Sequence, residues 1–219
     1  MGNPANHTPP CGGSSVKIAF FVALVLALPL RAADLELGIR HLQTSPRGDR
    51  AFDGGELEIV SSRGFGATAE VFWTPRISTQ LAATFVNPAA FIFPTTPPPN
   101  DLDLGTFGID TYSLTARYHL APNARFSPFA GAGGAMVLFG DLEDRFGHDI
   151  EMTFDRETAL LVEGGLRYRI FPRVILDVAV SYMPLEATPN HVRNDTNVAL
   201  PASVKLDPVT VSVGAAWRF

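Results

Sequence analysis

Leu206-Asp207-Pro208-Val209-Thr210-Val211-Ser212-Val213-Gly214-Ala215-Ala216-Trp217-Arg218-Phe219 closes the chain, and its alternation decides how the rest is read. Val209, Val211, Val213, Ala215, Trp217 and Phe219 share one parity, while Thr210, Ser212, Gly214, Ala216 and Arg218 share the other. Strand side chains point alternately to opposite faces, so one face is apolar to the last residue and the other is small, polar or charged. Strands of a transmembrane barrel show this pattern, with lipid-facing residues alternating with lumen-facing ones and aromatics at the interface. An edge strand of a soluble sandwich would alternate too, so the remaining chain has to decide.

Seven more stretches obey the same rule. Asp34–Arg40 sets Leu35, Leu37 and Ile39 against Glu36, Gly38 and Arg40. Gly64–Trp73 sets Phe65, Ala67, Ala69, Val71 and Trp73 against Gly66, Thr68, Glu70 and Phe72. Similar runs start at Ile77, at Asp110, at Ser127 (its faces blurred by Gly131, Gly133 and Gly134), at Thr158 and at Val174. Thr74-Pro75-Arg76, Ala121–Arg125 and Phe171-Pro172-Arg173 are tight turns. Residues 43–62, 87–109, 140–157 and 184–205 are long connections; Leu57–Val60 in the first is an apolar-polar patch suited to extending a strand.

Long and short connections therefore alternate along the whole chain. Strands of this length suit a tilted bilayer crossing, and an even number permits closure, which removes the edges that lipid does not tolerate. The expected fold is all-β: an eight-stranded antiparallel transmembrane β-barrel with short periplasmic turns and long extracellular loops. It is expected to occupy residues 34–219.

Residues 1–33 read as a signal peptide. Lys17 precedes the apolar run Ile18–Leu30, and Arg31-Ala32-Ala33 follows with small residues for cleavage. A spanning helix needs about 20 apolar residues, and this run is shorter and broken by Pro29. Residues 1–15 are polar and uncharged, which suggests a true start near Val16. The expected location is the bacterial outer membrane. Cys11, the single cysteine, precedes the apolar run, so it is no lipoprotein cysteine and forms no intramolecular disulfide. A net charge of −5 without a clustered basic face excludes a nucleic-acid partner.

Three stretches resemble the outer-membrane protein W (OmpW) family of small barrels. They are Thr111–His119, then Arg125-Phe-Ser-Pro-Phe-Ala-Gly-Ala-Gly133, and the closing Lys205–Phe219 with its Leu-Asp-Pro and Arg-Phe. Phe129 stands where that family usually has Tyr, and 135–139 lacks its Asn-Tyr pair. The resemblance implies a barrel that passes or binds small hydrophobic molecules. It also implies partners: outer-membrane lipid and lipopolysaccharide, and the barrel-assembly machinery, for which Trp217 and Phe219 form the C-terminal aromatic signal.

Two sets of side chains are candidate functional residues. Glu70, Arg117, His119, Glu163, Arg167 and Asp177 fall on the lumen-facing parity, along with Glu36, Arg40, Arg169 and Arg218. Charges inside a narrow barrel are expected to pair, because unpartnered desolvated charge is costly. Phe85, Phe91, Ile92, Phe93, Leu138 and Phe139 gather near the outer end. They suit a hydrophobic mouth, since barrel mouths favour apolar pockets, and equally suit lipid-interface anchors or loop packing.

No cofactor and no metal is expected. His41, His148 and His191 lack ligand spacing, and the acidic residues Asp141–Glu157 lack an ordered calcium-loop signature. His119 with Ser113 and Glu163 is the nearest approach to a hydrolytic arrangement, and it matches no such motif, so the chain is expected not to be an enzyme. The expected function is a passive channel or binding barrel for small hydrophobic molecules. The alternative is a structural or surface-interaction barrel whose loops meet a host, phage or partner protein.

Overall fold

The computed structural model describes residues 34–47, 51–52, 55–94, 102–140, 150–194 and 203–219. The expected signal peptide, with Cys11, lies outside the described residues, as do Asp141, Glu143, Asp144, His148 and Asp149 of the acidic run. Eight strands alternate as the sequence does: β1 (Asp34–Ser45), β2 (Ser62–Phe72), β3 (Ile77–Val86), β4 (Ile109–His119), β5 (Phe126–Phe139), β6 (Glu157–Phe171), β7 (Val174–Tyr182) and β8 (Val209–Arg218). Each pairs antiparallel with its neighbour in sequence, and β8 returns to β1 to close the barrel. The closing register runs from Glu36 opposite Arg218 to Ser45 opposite Val209. No helix among the described residues is long and apolar enough to cross a membrane, so any crossing is made by strands.

The short turns sit together at one end. In the first, the Thr74 hydroxyl accepts from the Ile77 amide at 2.9 Å and the Arg76 amide at 3.2 Å, so the side chain stands in for a backbone partner at the bend. At the other end the connections carry strands of their own. Gly55–Ile59 pairs with Ala89–Pro94, and Ala51–Phe52 and Leu102–Thr106 complete a four-stranded sheet. Ile150–Phe154 pairs with Pro189–Asn194, and Glu186–Ala187 with Val204–Lys205. The extension expected at Leu57–Val60 is thus one strand of a larger sheet. Much of 87–109 and 184–205, read from sequence as plain connection, is also paired backbone.

The Leu206-Asp207-Pro208 signature explains itself here. Asp207 adopts a positive φ of 36°, and its carboxylate accepts from the Leu185 amide at 3.0 Å. The Leu206 amide donates to the Leu185 carbonyl at 2.8 Å, and both leucine side chains are buried. A short acidic residue tolerates the left-handed region because its side chain bonds locally. The motif therefore staples the last long connection to the start of β8.

Burial is inverted relative to a soluble sheet. Ile39 and Leu160 are each 73% exposed, whereas Arg117 is 1% exposed. Outward aromatics collect toward the two ends. Trp73, Tyr118, Phe126, Phe171, Trp217 and Phe219 ring the short-turn end, while Phe65, Phe85 and Tyr112 cluster near the other. An apolar belt of this extent suits hydrocarbon and would be an aggregation surface in water. Val178, half-way along β7 and outward-facing, tests the belt. Val178→Arg is expected to lower stability by about 2–4 kcal/mol, the usual cost of a cation on the lipid face near the midplane. Equilibrium unfolding in phospholipid vesicles measures it.

Candidate functional site

Eight strands leave a bore just wide enough for side chains to fill, so lumen-facing residues meet across it as well as along the wall. β2, β4, β5, β6 and β7 deliver the central group. Arg117 of β4 grips Glu163 of β6 with two bonds, Nε to Oε1 and Nη2 to Oε2, both at 2.7 Å. The Thr115 hydroxyl donates to the same Oε1 at 2.9 Å. Arg117 Nη1 reaches Glu70 Oε2 at 3.3 Å and Asp177 Oδ2 at 3.7 Å. The guanidinium also lies 4.3 Å from the centre of the Phe129 ring. One fully buried cation thus serves three carboxylates and an aromatic face.

Space for this group comes from glycine. A Cβ at Gly131 would sit 3.1 Å from both Arg117 Cγ and Glu163 Oε1, and one at Gly165 would meet the Phe129 ring at 2.6 Å. Gly131 of β5 and Gly165 of β6 therefore make room for the arginine and the phenylalanine beneath it.

Nearer the short turns, Glu70 accepts from the Ser78 hydroxyl at 2.5 Å and lies 3.1 Å from His119 Nε2. Ser78 Oγ is 2.8 Å from the same Nε2. With the Ser78 hydrogen committed to Glu70, the proton of His119 sits on Nε2, and Nδ1 has no partner. A Ser–His–Glu hydrolytic arrangement needs the acid on one ring nitrogen and the serine on the other. Here both share Nε2, and Ser78 is fully buried. Glu36 of β1 closes this level: it accepts from Arg167, and from Arg218 Nε at 2.7 Å. The guanidinium groups of Arg167 and Arg218 each lie 5.1 Å from the Phe72 ring centre.

Glu70, Arg117, His119, Glu163 and Asp177 are joined by contacts centred on Arg117 and Glu70, while Arg167 sits in a separate lumen group with Glu36 and Arg218. Arg167 is paired differently from the simplest guess: Asp177 faces it across the β6–β7 register, yet its partner is Glu36 on the far wall. Sequence reasoning missed Ser78, Thr115 and Gln80, the last accepting from Arg40 at 2.7 Å. Their parity put them inside, but a neutral polar residue gives no further sign of its partner.

The network divides the bore. Outward of it lies a chamber of about 80 Å³ with a polar floor of Arg40, Gln80 and Glu163 and mixed walls, in which Val86, Ile109, Leu161, Met183 and Leu206 alternate with hydroxyl side chains such as Thr84, Thr111 and Ser113. Above, a buried apolar cluster containing Ile59, Phe107, Val137, Met183, Leu185 and Leu206 ties the long connections to the barrel, with Phe139 and Phe154 packed against it. At the short-turn end a separate cavity of about 210 Å³ shares no lining residue with the chamber. Between them runs a crevice of about 20 Å³, room for roughly one water.

The expected mouth residues do not form one group. Phe85 lies on the outward row, tilted against Phe65 at 5.6 Å and edge-to-face with Tyr112 at 6.4 Å. Leu138 pairs with Asp110, which pairs in turn with Phe85, so it shares that row. Phe139 turns the other way, 5.4 Å from Phe154 above the chamber. Phe91 is half-buried in the outer sheet, where the backbones of Ile92 and Phe93 pair with Leu57 and Glu56.

The OmpW family model matches residues 38–219, which is the barrel and its connections. The chain belongs to the OmpW family. Solved structures agree on the fold of this OmpW-family barrel. The outer membrane protein OprG from Pseudomonas aeruginosa is 20% identical, with a TM-score of 0.70 over 86% of this chain and 97% of that one. AlkL, determined in lipid bilayers, is 18% identical, with a TM-score of 0.62 over 85% and 90%. Outer membrane protein W of E. coli is 18% identical, with a TM-score of 0.51 over 87% and 100%. No curated protein matches the sequence. Family and fold together place this OmpW-family barrel in the outer membrane, with its apolar belt among the lipids.

Proposed function

We propose that this OmpW-family barrel takes up small hydrophobic molecules passively, binding them in the chamber above the charged network. The observation that carries the reading is the chamber itself: walls with a substantial apolar share, a polar floor, and an apolar cluster overhead. A small hydrocarbon entering it loses water contact, which is worth about 25 cal/mol per Å² of apolar surface covered. Arg40 and Gln80 hold each other at the floor, so an apolar guest covering that pair leaves neither without its partner. The side chains of Glu70, Arg117 and Glu163 fill the bore below. The resting state thus suits a binding barrel better than an open pore, and onward passage requires the network to shift.

Filling the chamber tests this. Ser113 lines it from β4 and has no hydrogen-bond partner among the described residues. Cells with a lipopolysaccharide outer leaflet, supplied with radiolabelled toluene, are expected to take it up faster with the wild-type barrel than without it. Ser113→Phe should return uptake to the level of cells lacking the protein while the barrel still assembles. Uptake unaffected by this substitution would remove the chamber from the mechanism.

The four-stranded sheet at the outer end favours a second reading, a surface-interaction barrel, because its outer strand Ala51–Phe52 pairs on one side only among the described residues. Such edges accept an added strand from a partner. Under that reading Ser113→Phe leaves partner capture intact, and deletion of 51–59 abolishes it.

A further inference from the structure

The cavity at the short-turn end differs in chemistry from the chamber and takes no part in the uptake reading. Four guanidinium-bearing residues line it: Arg125, Arg167, Arg169 and Arg218. Opposing them are Asp34, on the same wall, and Glu36, which Arg167 and Arg218 share. Four positive charges against two negative ones leave an excess of two. Arg125 has no carboxylate within ion-pair distance among the described residues. The Arg169 guanidinium donates only to the Pro122 carbonyl there, at 3.0 Å. Arg125 and Arg169 are neighbours on adjoining strands, the Arg169 amide donating to the Arg125 carbonyl at 2.9 Å, so two excess cations stand side by side on the cavity wall and an anion beside them offsets their repulsion.

A second observation points the same way. Among the described residues two buried side-chain polar atoms lack any hydrogen-bond partner, His119 Nδ1 and Ser127 Oγ. Both residues line this cavity, and they are 1% and 7% exposed. Buried polar atoms without partners are uncommon in folded proteins and call for a missing one. Here they coincide with the surplus of arginines.

We propose that this cavity binds a phosphate-type oxyanion. Arg125 and Arg169 present planar forks suited to bidentate contact with phosphate oxygens. The short-turn end of an outer-membrane barrel faces the periplasm, so the ligand arrives from that side. Free phosphate compounds and phospholipid headgroups of the inner leaflet both carry this chemistry.

The full mature chain, refolded in a phosphate-free maltoside detergent, is titrated with inorganic phosphate by calorimetry. Saturable one-to-one binding is expected. Arg125→Gln/Arg169→Gln should weaken it about tenfold or more, because two charge-assisted contacts are lost. Arg173→Gln, an exposed turn arginine at the same end that does not line the cavity, should leave it unchanged. The source is then read by competition: phosphatidylglycerol in the micelles, with uncharged diacylglycerol as control, displaces phosphate if the headgroup is the occupant and does not if free phosphate is. Either result upholds the site. Absence of saturable binding, or equal affinity in the double variant, overturns it.

Discussion

Arg117→Met is expected to destabilise the barrel by about 3–5 kcal/mol, the usual loss when one partner of a buried ion pair is removed. The cost arises from what remains. Glu163 would keep only the Thr115 hydroxyl, and Asp177 would lose the guanidinium 3.7 Å away. Glu70 would retain Ser78 and His119. A carboxylate left buried in a water-poor bore is far more costly than an apolar side chain in the same space. The double variant Arg117→Met/Glu163→Leu is therefore expected to recover part of the loss, since it removes the carboxylate most dependent on Arg117 and fills the volume, while Asp177 stays without its guanidinium. Denaturant unfolding in vesicles, followed by the heat-dependent gel shift of barrels, compares the two. A single-variant loss below about 1 kcal/mol would mean that water reaches Glu163, so that the network is no seal. That result would also weaken the case for a closed floor beneath the chamber.

The comparison of Arg167 with Arg117 shows where sequence stops informing. Parity placed both in the lumen correctly, because alternation is a property of one strand. Which carboxylate each meets depends on reach across the bore, set jointly by tilt and register around eight strands. Cross-strand neighbours would have paired Arg167 with Asp177, and the bore paired it with Glu36 instead. Ser78 was harder still. It is fully buried beside Glu70 and His119, yet a serine on a lumen-facing position has no local mark that separates a network member from a solvated one. The outer strands escaped for a different reason. Five prolines between Pro88 and Pro99 read as breakers, but Pro88 and Pro94 flank or end the paired stretch Ala89–Pro94 and leave its interior free to pair. The Leu-Asp-Pro signature was visible as a resemblance, while its work of stapling Leu185 to β8 needed a contact over 22 residues.

Deletion of Phe219 is expected to separate assembly from stability. In the folded barrel this residue contributes one backbone bond, from its amide to the Leu35 carbonyl at 2.9 Å, and an outward ring that is 68% exposed. A single backbone bond at a strand end is worth about 1 kcal/mol, so barrel refolded from denaturant without Phe219 should be nearly as stable as the full chain. Arg218 keeps its bonds to Glu36, and the closing register with β1 is otherwise intact. In cells the outcome should differ. We propose that a barrel-assembly machinery reads the terminal strand ending in Trp217 and Phe219 before the chain folds; on that proposal, loss of the last ring should cut the heat-modifiable form in outer membranes several-fold. Phe126→Ala provides the comparison. It removes an outward aromatic at the same end of the barrel, 57% exposed, from a strand in mid-chain, and should assemble normally. If both variants assemble equally well, the terminal ring is not the signal. If the Phe219 deletion also fails to refold in vesicles, its role lies in closing the barrel onto β1, and the strand that first decided the fold would be needed for holding it shut rather than for delivering it.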